Sequence, residues 1–137
     1  MLARHIRRGR AGEVMAAAYL ECRGYSILSR NWRSRRGELD LVCSQNEEIV
    51  FVEVKTREET DFGLPGDALT AKKKRRMLQA ASLYLSRNDL WARPCRFDLL
   101  SVSLQERGCV IQHDRDVISH SEDGTALGGG HANWQPW

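Results

Sequence analysis

Asp40, Glu53 and Lys55 are the residues whose types and spacing could do chemistry. They sit in two short runs, Gly37-Glu38-Leu39-Asp40-Leu41-Val42 and Val50-Phe51-Val52-Glu53-Val54-Lys55-Thr56, with a polar break from Gln45 to Glu48 between them. Both runs alternate apolar and polar positions and read as strands. Side chains two apart share a face, so Glu38, Asp40 and Val42 lie together on one strand and Phe51, Glu53 and Lys55 on the other. An antiparallel hairpin centred between Asn46 and Glu47 sets Asp40 opposite Glu53, and Glu38 opposite Lys55. Opposed Cβ atoms lie about 4.5–5.5 Å apart, and two carboxylates at about 5 Å repel by about 3 kcal/mol at an effective dielectric near 20. A divalent cation between them would turn that cost into a gain, and all-oxygen ligation suits Mg²⁺ or Mn²⁺. Lys55 would either neutralise the acids or hold a water that attacks a phosphorus. A merely solvated polar face gives the same alternation. Asn-Glu is a weak pair for a two-residue turn, so a four-residue loop about the same centre stays open. A one-residue slip would part the carboxylates.

The elements that must position these residues follow in order. Gly9 to Arg23 reads as a helix with Val14, Ala17, Ala18, Leu20 and Cys22 as its apolar stripe, Glu13 in its first turn and Gly24 as its stop. There Glu13 could do no more than favour the helix dipole. Tyr25 to Trp32 reads as a strand with Tyr25, Ile27 and Leu28 as core candidates. Residues 57–66, holding Gly63, Pro65 and Gly66, read as a mobile connection beside the site. Asp67 to Arg87 reads as the longest helix, capped by Asp67 or Thr70, with Ala68, Leu69, Met77, Ala80, Ala81, Tyr84 and Leu85 on its buried face. Cys95 to Leu104 is a further strand, with Phe97, Leu99 and Val102 inward and Asp98 an isolated acid. Cys109 to His113 adds an edge strand. Residues 1–118 form one domain on this reading, and the chain from Ser119 on reads as a mobile tail.

At 137 residues, 42% hydrophobic and 28% charged, the chain can bury an ordinary core. A net charge of +3 does not by itself select a partner. The distribution says more. Arg4, His5, Arg7, Arg8 and Arg10 crowd the start, Arg30, Arg33, Arg35 and Arg36 precede the first motif strand, and Lys72 to Arg76 is unbroken. Three basic clusters around an acidic centre suit a polyanionic substrate, although such runs are also solvated faces. The four cysteines are scattered with no C-x-x-C pair, which speaks against a zinc site or a disulfide framework and for reduced thiols in the cytoplasm. No run is apolar enough for a membrane span, and the start lacks a signal-peptide pattern. No phosphate-binding glycine loop, internal repeat or Ser/Cys nucleophile with a base is visible.

A helix bearing Glu13, three strands bearing Asp40 and Glu53-x-Lys55, then helix and strand, resembles the restriction-endonuclease-like PD-(D/E)xK core. More closely, the chain is similar to the YraN family of small bacterial proteins, related to archaeal Holliday-junction resolvases. The residues carrying this are Gly12-Glu13, Gly24-Tyr25-x-Ile27-Leu28-x-Arg30-Asn31-Trp32, Arg36 to Leu41, Val50 to Arg57, Gly63, Lys72 and Cys95-Arg96-Phe97-Asp98, over roughly residues 9–112. No Pro precedes Asp40, so the "PD" half survives as Leu39-Asp40.

The resemblance implies an α/β (α+β) fold of order α-β-β-β-α-β, with a central mixed sheet flanked by helices. It implies that Asp40 and Glu53, with the Val54 carbonyl, bind Mg²⁺ or Mn²⁺, that Glu13 reaches in directly or through water, and that Lys55 orients the attacking water. Arg33, Arg35, Arg36, Arg57, Lys72, Lys73, Arg75 and Arg76 would contact phosphates, DNA in preference to RNA, and the protein would act as a homodimer without a membrane or small-molecule cofactor. The function so implied is a metal-dependent endonuclease, with branched DNA as one substrate. A non-catalytic nucleic-acid-binding or partner-binding module on the same fold is the alternative. A metal-binding regulatory protein is a third reading, which leaves the basic clusters unexplained.

Overall fold

The computed structural model describes residues 2–58 and 69–118, with side chains from residue 9 onward and, at Glu58, backbone alone. Helix α1 (Leu2–Cys22) leads into β1 (Ser26–Ser34), β2 (Gly37–Gln45) and β3 (Glu48–Glu58). Helix α2 (Ala71–Arg87), β4 (Cys95–Gln105) and β5 (Gly108–Asp114) complete an α-β-β-β-α-β-β order. The five strands lie in one sheet in chain order. Three pairings are antiparallel and β3–β4 is parallel. Parallel neighbours need a crossover, which here contains α2. The result is a mixed sheet with two helices, an α+β fold consistent with the restriction-endonuclease-like core. The expected mobile connection lies largely, and the expected tail and the Asp67 cap wholly, outside the described residues.

Each face of the sheet buries one helix. On the α1 side Ala16, Ala17 and Leu20 pack with Tyr25, Leu41, Cys43, Val50, Val52, Leu100 and Val102. The buried stripe is therefore turned from the one expected: Val14 is 62% exposed, and Ala18 and Cys22 face solvent. Small residues explain the turn. A Cβ on Gly12 would lie 2.0 Å from the Thr56 hydroxyl, so α1 approaches β3 along Gly12 and Ala16, one helical turn apart. The helix begins earlier than Gly9, since an interior glycine costs only about 1 kcal/mol. It ends as expected at Gly24, whose φ of 88° closes a Schellman motif: Tyr25 N–H donates to Leu20 O and Gly24 N–H to Glu21 O.

On the other face Met77, Ala80, Ala81, Tyr84 and Leu85 of α2 meet Leu39, Val42, Ile49, Phe51, Phe97 and Leu99. Fully buried side chains such as Phe51, Leu85 and Leu99 contribute about 1.5–3 kcal/mol each. Thr70 caps α2 by accepting from Lys73 N–H, worth about 1 kcal/mol. Leu28, expected inside, is 44% exposed because a bulge between Ile27 and Ser29 shifts the register there.

The β2–β3 hairpin is centred between Asn46 and Glu47, with Gln45 paired to Glu48. Both turn residues have positive φ, 49° and 71°, as a two-residue type I′ turn demands. The four-residue loop is not what forms.

Candidate active site at the end of the β2–β3 ladder

The β2–β3 ladder runs from Gln45↔Glu48 to Leu41↔Val52 and goes no further. At the next position Asp40 accepts from Val54 N–H through its carboxylate, at 2.8 Å, where a backbone carbonyl would otherwise serve. The strands thus part at Asp40. Side-chain alternation breaks at the same place. Leu39 and Val42 pack on the α2 face while Leu41 and Cys43 pack on the α1 face. Opposite this break, between the pairs Arg30↔Leu41 and Trp32↔Leu39, Asn31 has a φ of 50°. Glu38, expected opposite Lys55, lies beyond the ladder and sits 3.8 Å from Arg33.

Asp40 and Glu53 are neighbours, as the hairpin count requires. Burial first, and then the adjacent Glu53 carboxylate, push the Asp40 carboxyl up to about 7, with a smaller contribution in the same direction from Glu13. The Val54 N–H opposes them. Two acids so close cannot both be charged cheaply.

The pair opens into a cleft of about 570 Å³ walled by the β1–β2 turn (Ser34, Arg35, Arg36, Gly37) and by Lys73, Arg76 and Met77 of α2. Gly37, at φ 150°, lets the turn lie against the α2 backbone: a Cβ there would come within 3.2 Å of Arg76 O. Lys73 Nζ lies 2.9 Å from Glu53 Oε1. Cleft and ion pair thus bring together Asp40, Glu53, Arg35, Arg36, Lys73 and Arg76. Arg33, Lys72 and Arg75 are exposed outside the cleft, and Arg57 lies at the far end of β3 opposite Ser103. Lys55 is exposed and pairs with Ser101 in the parallel ladder. Glu13 reaches from the α1 side into a smaller cleft with Arg10, Val14, Arg30, Asn31 and Leu41. Among the described residues no three His, Cys, Asp or Glu side chains gather tightly enough to enclose an ion.

The donor set still suits a hard divalent cation. It is all oxygen, Asp40 has no cation beside it among the described residues, and Mg²⁺ commonly takes one or two carboxylates and keeps water or substrate oxygens elsewhere. Cys43 and Cys95, thiols pushed up to about 12 chiefly by burial, offer no thiolate.

A second ionic centre was not visible in the sequence. Asp98, read as isolated, is fully buried on β4 and accepts from Arg96, from His113 of β5 at 2.8 Å, and from Asp116 N–H. Arg96 also contacts Glu48 and donates to Tyr25 Oη. Burial pushes the Asp98 carboxyl up, but these donors outweigh it and hold it below its ordinary value. Arg96-x-Asp98 on a strand was the available signal, because residues two apart share a face.

A helix-flanked mixed sheet whose paired strands part over an acidic couple is consistent with a restriction-endonuclease-like core. The family model described as uncharacterised protein family UPF0102 matches residues 12–102. A UPF0102 protein of Nitratidesulfovibrio vulgaris is 44% identical over 135 residues, 98% of both chains. One from Lawsonia intracellularis is 38% identical over 94% of this chain and 96% of its own. Another, from Symbiobacterium thermophilum, is 50% identical over 70% of this chain and 81% of its own. The chain belongs to the UPF0102 family, which is the YraN family that its sequence resembles. The names of these relatives state no activity. No helix among the described residues is long and apolar enough to cross a membrane.

Proposed function

We propose that the chain is a metal-dependent endonuclease of the cytoplasm, hydrolysing phosphodiester bonds in DNA in preference to RNA. One observation carries this: two adjacent carboxylates open into a cleft walled by Arg35, Arg36, Lys73 and Arg76. An acidic floor under basic walls suits a phosphodiester and a hard cation together. Asp40, Glu53 and the Val54 carbonyl would hold Mg²⁺ or Mn²⁺, with Glu13 approaching from α1. When bound, the ion supplies Lewis-acid polarisation of the phosphate and lowers the pKa of a water. Arg35, Arg36 and Arg76 hold backbone phosphates, which makes binding salt-dependent and largely blind to sequence. Lys55 orients the attacking water. Branched DNA and action as a homodimer belong to the same reading.

The Lys73–Glu53 ion pair favours a second reading, a nucleic-acid-binding module without turnover, since a protein cation already serves one acid. Cleavage of labelled four-way junction, flap, single-stranded and duplex DNA with Mg²⁺ or Mn²⁺ separates the two. The enzyme cuts, and Asp40→Ala loses the activity by at least about 10³-fold, in the range expected when a pre-organised charge-stabilising group is removed. Tight, salt-sensitive binding without cutting would establish the module.

A further inference from the structure

Four cations line the cleft or touch its floor, and they are not equivalent. Among the described residues Arg35, Arg36 and Arg76 make no ion pair, whereas Lys73 is committed to Glu53 at 2.9 Å. The contact is sheltered at one end: the Glu53 side chain is 13% exposed and that of Lys73 38%. Its geometry is set by the cap of α2. Thr70 accepts from Lys73 N–H at 3.1 Å, so the lysine springs from the anchored first turn, and its flexible four-carbon stem alone decides where the ammonium goes. A lysine is suited to such a post, being a compact charge without the planar fork that commits an arginine to one partner.

Resting on the nuclease reading, we propose that Lys73 is a resident counter-ion of the carboxylate pair, displaced from Glu53 by a divalent cation and thereby released to a substrate phosphate. Metal and nucleic acid are then coupled through one side chain. In the free protein Lys73 competes with the ion for Glu53 and weakens its binding. Once the ion is seated, the ammonium is repelled by it and turns into the cleft, where a phosphate is the available anion. Linkage makes the effect reciprocal: nucleic acid that captures Lys73 tightens metal binding by the same factor by which metal tightens nucleic acid. The device would keep the site from loading metal before substrate arrives.

The test is Mn²⁺ titration by calorimetry, without nucleic acid, of the wild-type chain, Lys73→Ala, Lys73→Met and Lys73→Arg, each first shown folded by circular dichroism. The expected result is Mn²⁺ binding about five- to tenfold tighter in Lys73→Ala and Lys73→Met, with Lys73→Arg near wild type, a size set by removing one partly screened charge near a dication. In the wild type, Mn²⁺ should tighten binding of non-cleavable, phosphorothioate-linked DNA by about tenfold at fixed ionic strength, within the usual range for coupled sites. In Lys73→Ala most of that gain should vanish. Mn²⁺ binding by Lys73→Ala alone, with none by the wild type, would support the proposal in its strongest form. Equal or weaker Mn²⁺ binding in Lys73→Ala and Lys73→Met overturns it and leaves the nuclease reading standing. No Mn²⁺ binding by any of the chains overturns both.

Discussion

The molecule holds two ionic centres built from similar parts and tuned in opposite directions. Around Asp98, an arginine, a histidine and a backbone N–H converge on one fully buried carboxylate, which is held charged below its usual range. Around Asp40, a second carboxylate lies where a donor would be expected, and the acid is pushed up to about 7. The first centre is closed between β4, β5, Tyr25 and Glu48, and its needs are met by the protein. The second opens into a cleft, and Lys73 meets one of its two acids. A buried charge with its partners present fixes structure, while clustered like charges at a cleft mark a candidate binding or catalytic position.

That contrast can be broken most forcefully at Asp98. Asp98→Ala strands Arg96 and His113 and should cost about 3–5 kcal/mol in urea unfolding, with Mn²⁺ affinity of the folded fraction unchanged. A loss below about 1 kcal/mol would mean that this centre is not the closed structural one described. Next comes Gly12→Ala, where the added Cβ meets Thr56; about 1–3 kcal/mol should be lost and largely recovered in the Gly12→Ala/Thr56→Ala double variant.

The pH profile sharpens the comparison, because the two acids act with opposite sign. Asp40 has its folded value raised from 3.8 to about 7, so its contribution is full below about 4 and is lost as pH rises through about 7. Asp98 has its folded value lowered, so its contribution is present above about 4 and is lost as pH falls. Metal-free protein should therefore be most stable in mild acid. Asp40→Asn should flatten the alkaline limb only, and Mn²⁺ should reverse that limb; an alkaline limb unchanged in Asp40→Asn would refute the paired-acid description. The smallest effect is expected at Glu47, a non-glycine residue at φ 71°, where Glu47→Gly should stabilise by about 0.5–1 kcal/mol by thermal melting without touching either centre.

How far the sequence could be read follows from where each contact closes. The proximity of Asp40 and Glu53 was legible by counting outward from one hairpin centre, although the ladder stops one pair short of them. The buried face of α2 was legible from helical spacing, and its residues Met77, Ala80, Ala81, Tyr84 and Leu85 are where that spacing puts them. The α1 stripe was misplaced because apolar character favoured Val14, whereas close approach to β3 selects the smallest residues. Lys73 lies twenty positions beyond Glu53 across a crossover, and its partner depends on how α2 is docked. Asp98 and His113 meet only through the β4–β5 register, in which Leu100 pairs with His113. The break at Asp40 lies opposite a left-handed Asn31, and residue type alone rarely announces that.

The parallel pairing of β3 with β4 has a kinetic consequence. Glu53 pairs with Leu99, 46 positions along the chain, while the whole β2–β3 hairpin closes through a two-residue turn. Loop-closure entropy makes the hairpin cheap and the crossover slow. On this ground the two acids should meet early in folding, before α2 has docked and before Lys73 can reach them. During that interval the nascent hairpin carries its repulsion uncompensated. A divalent cation present during refolding should then speed the slow phase seen by stopped-flow Trp fluorescence, an acceleration that Glu53→Gln should abolish.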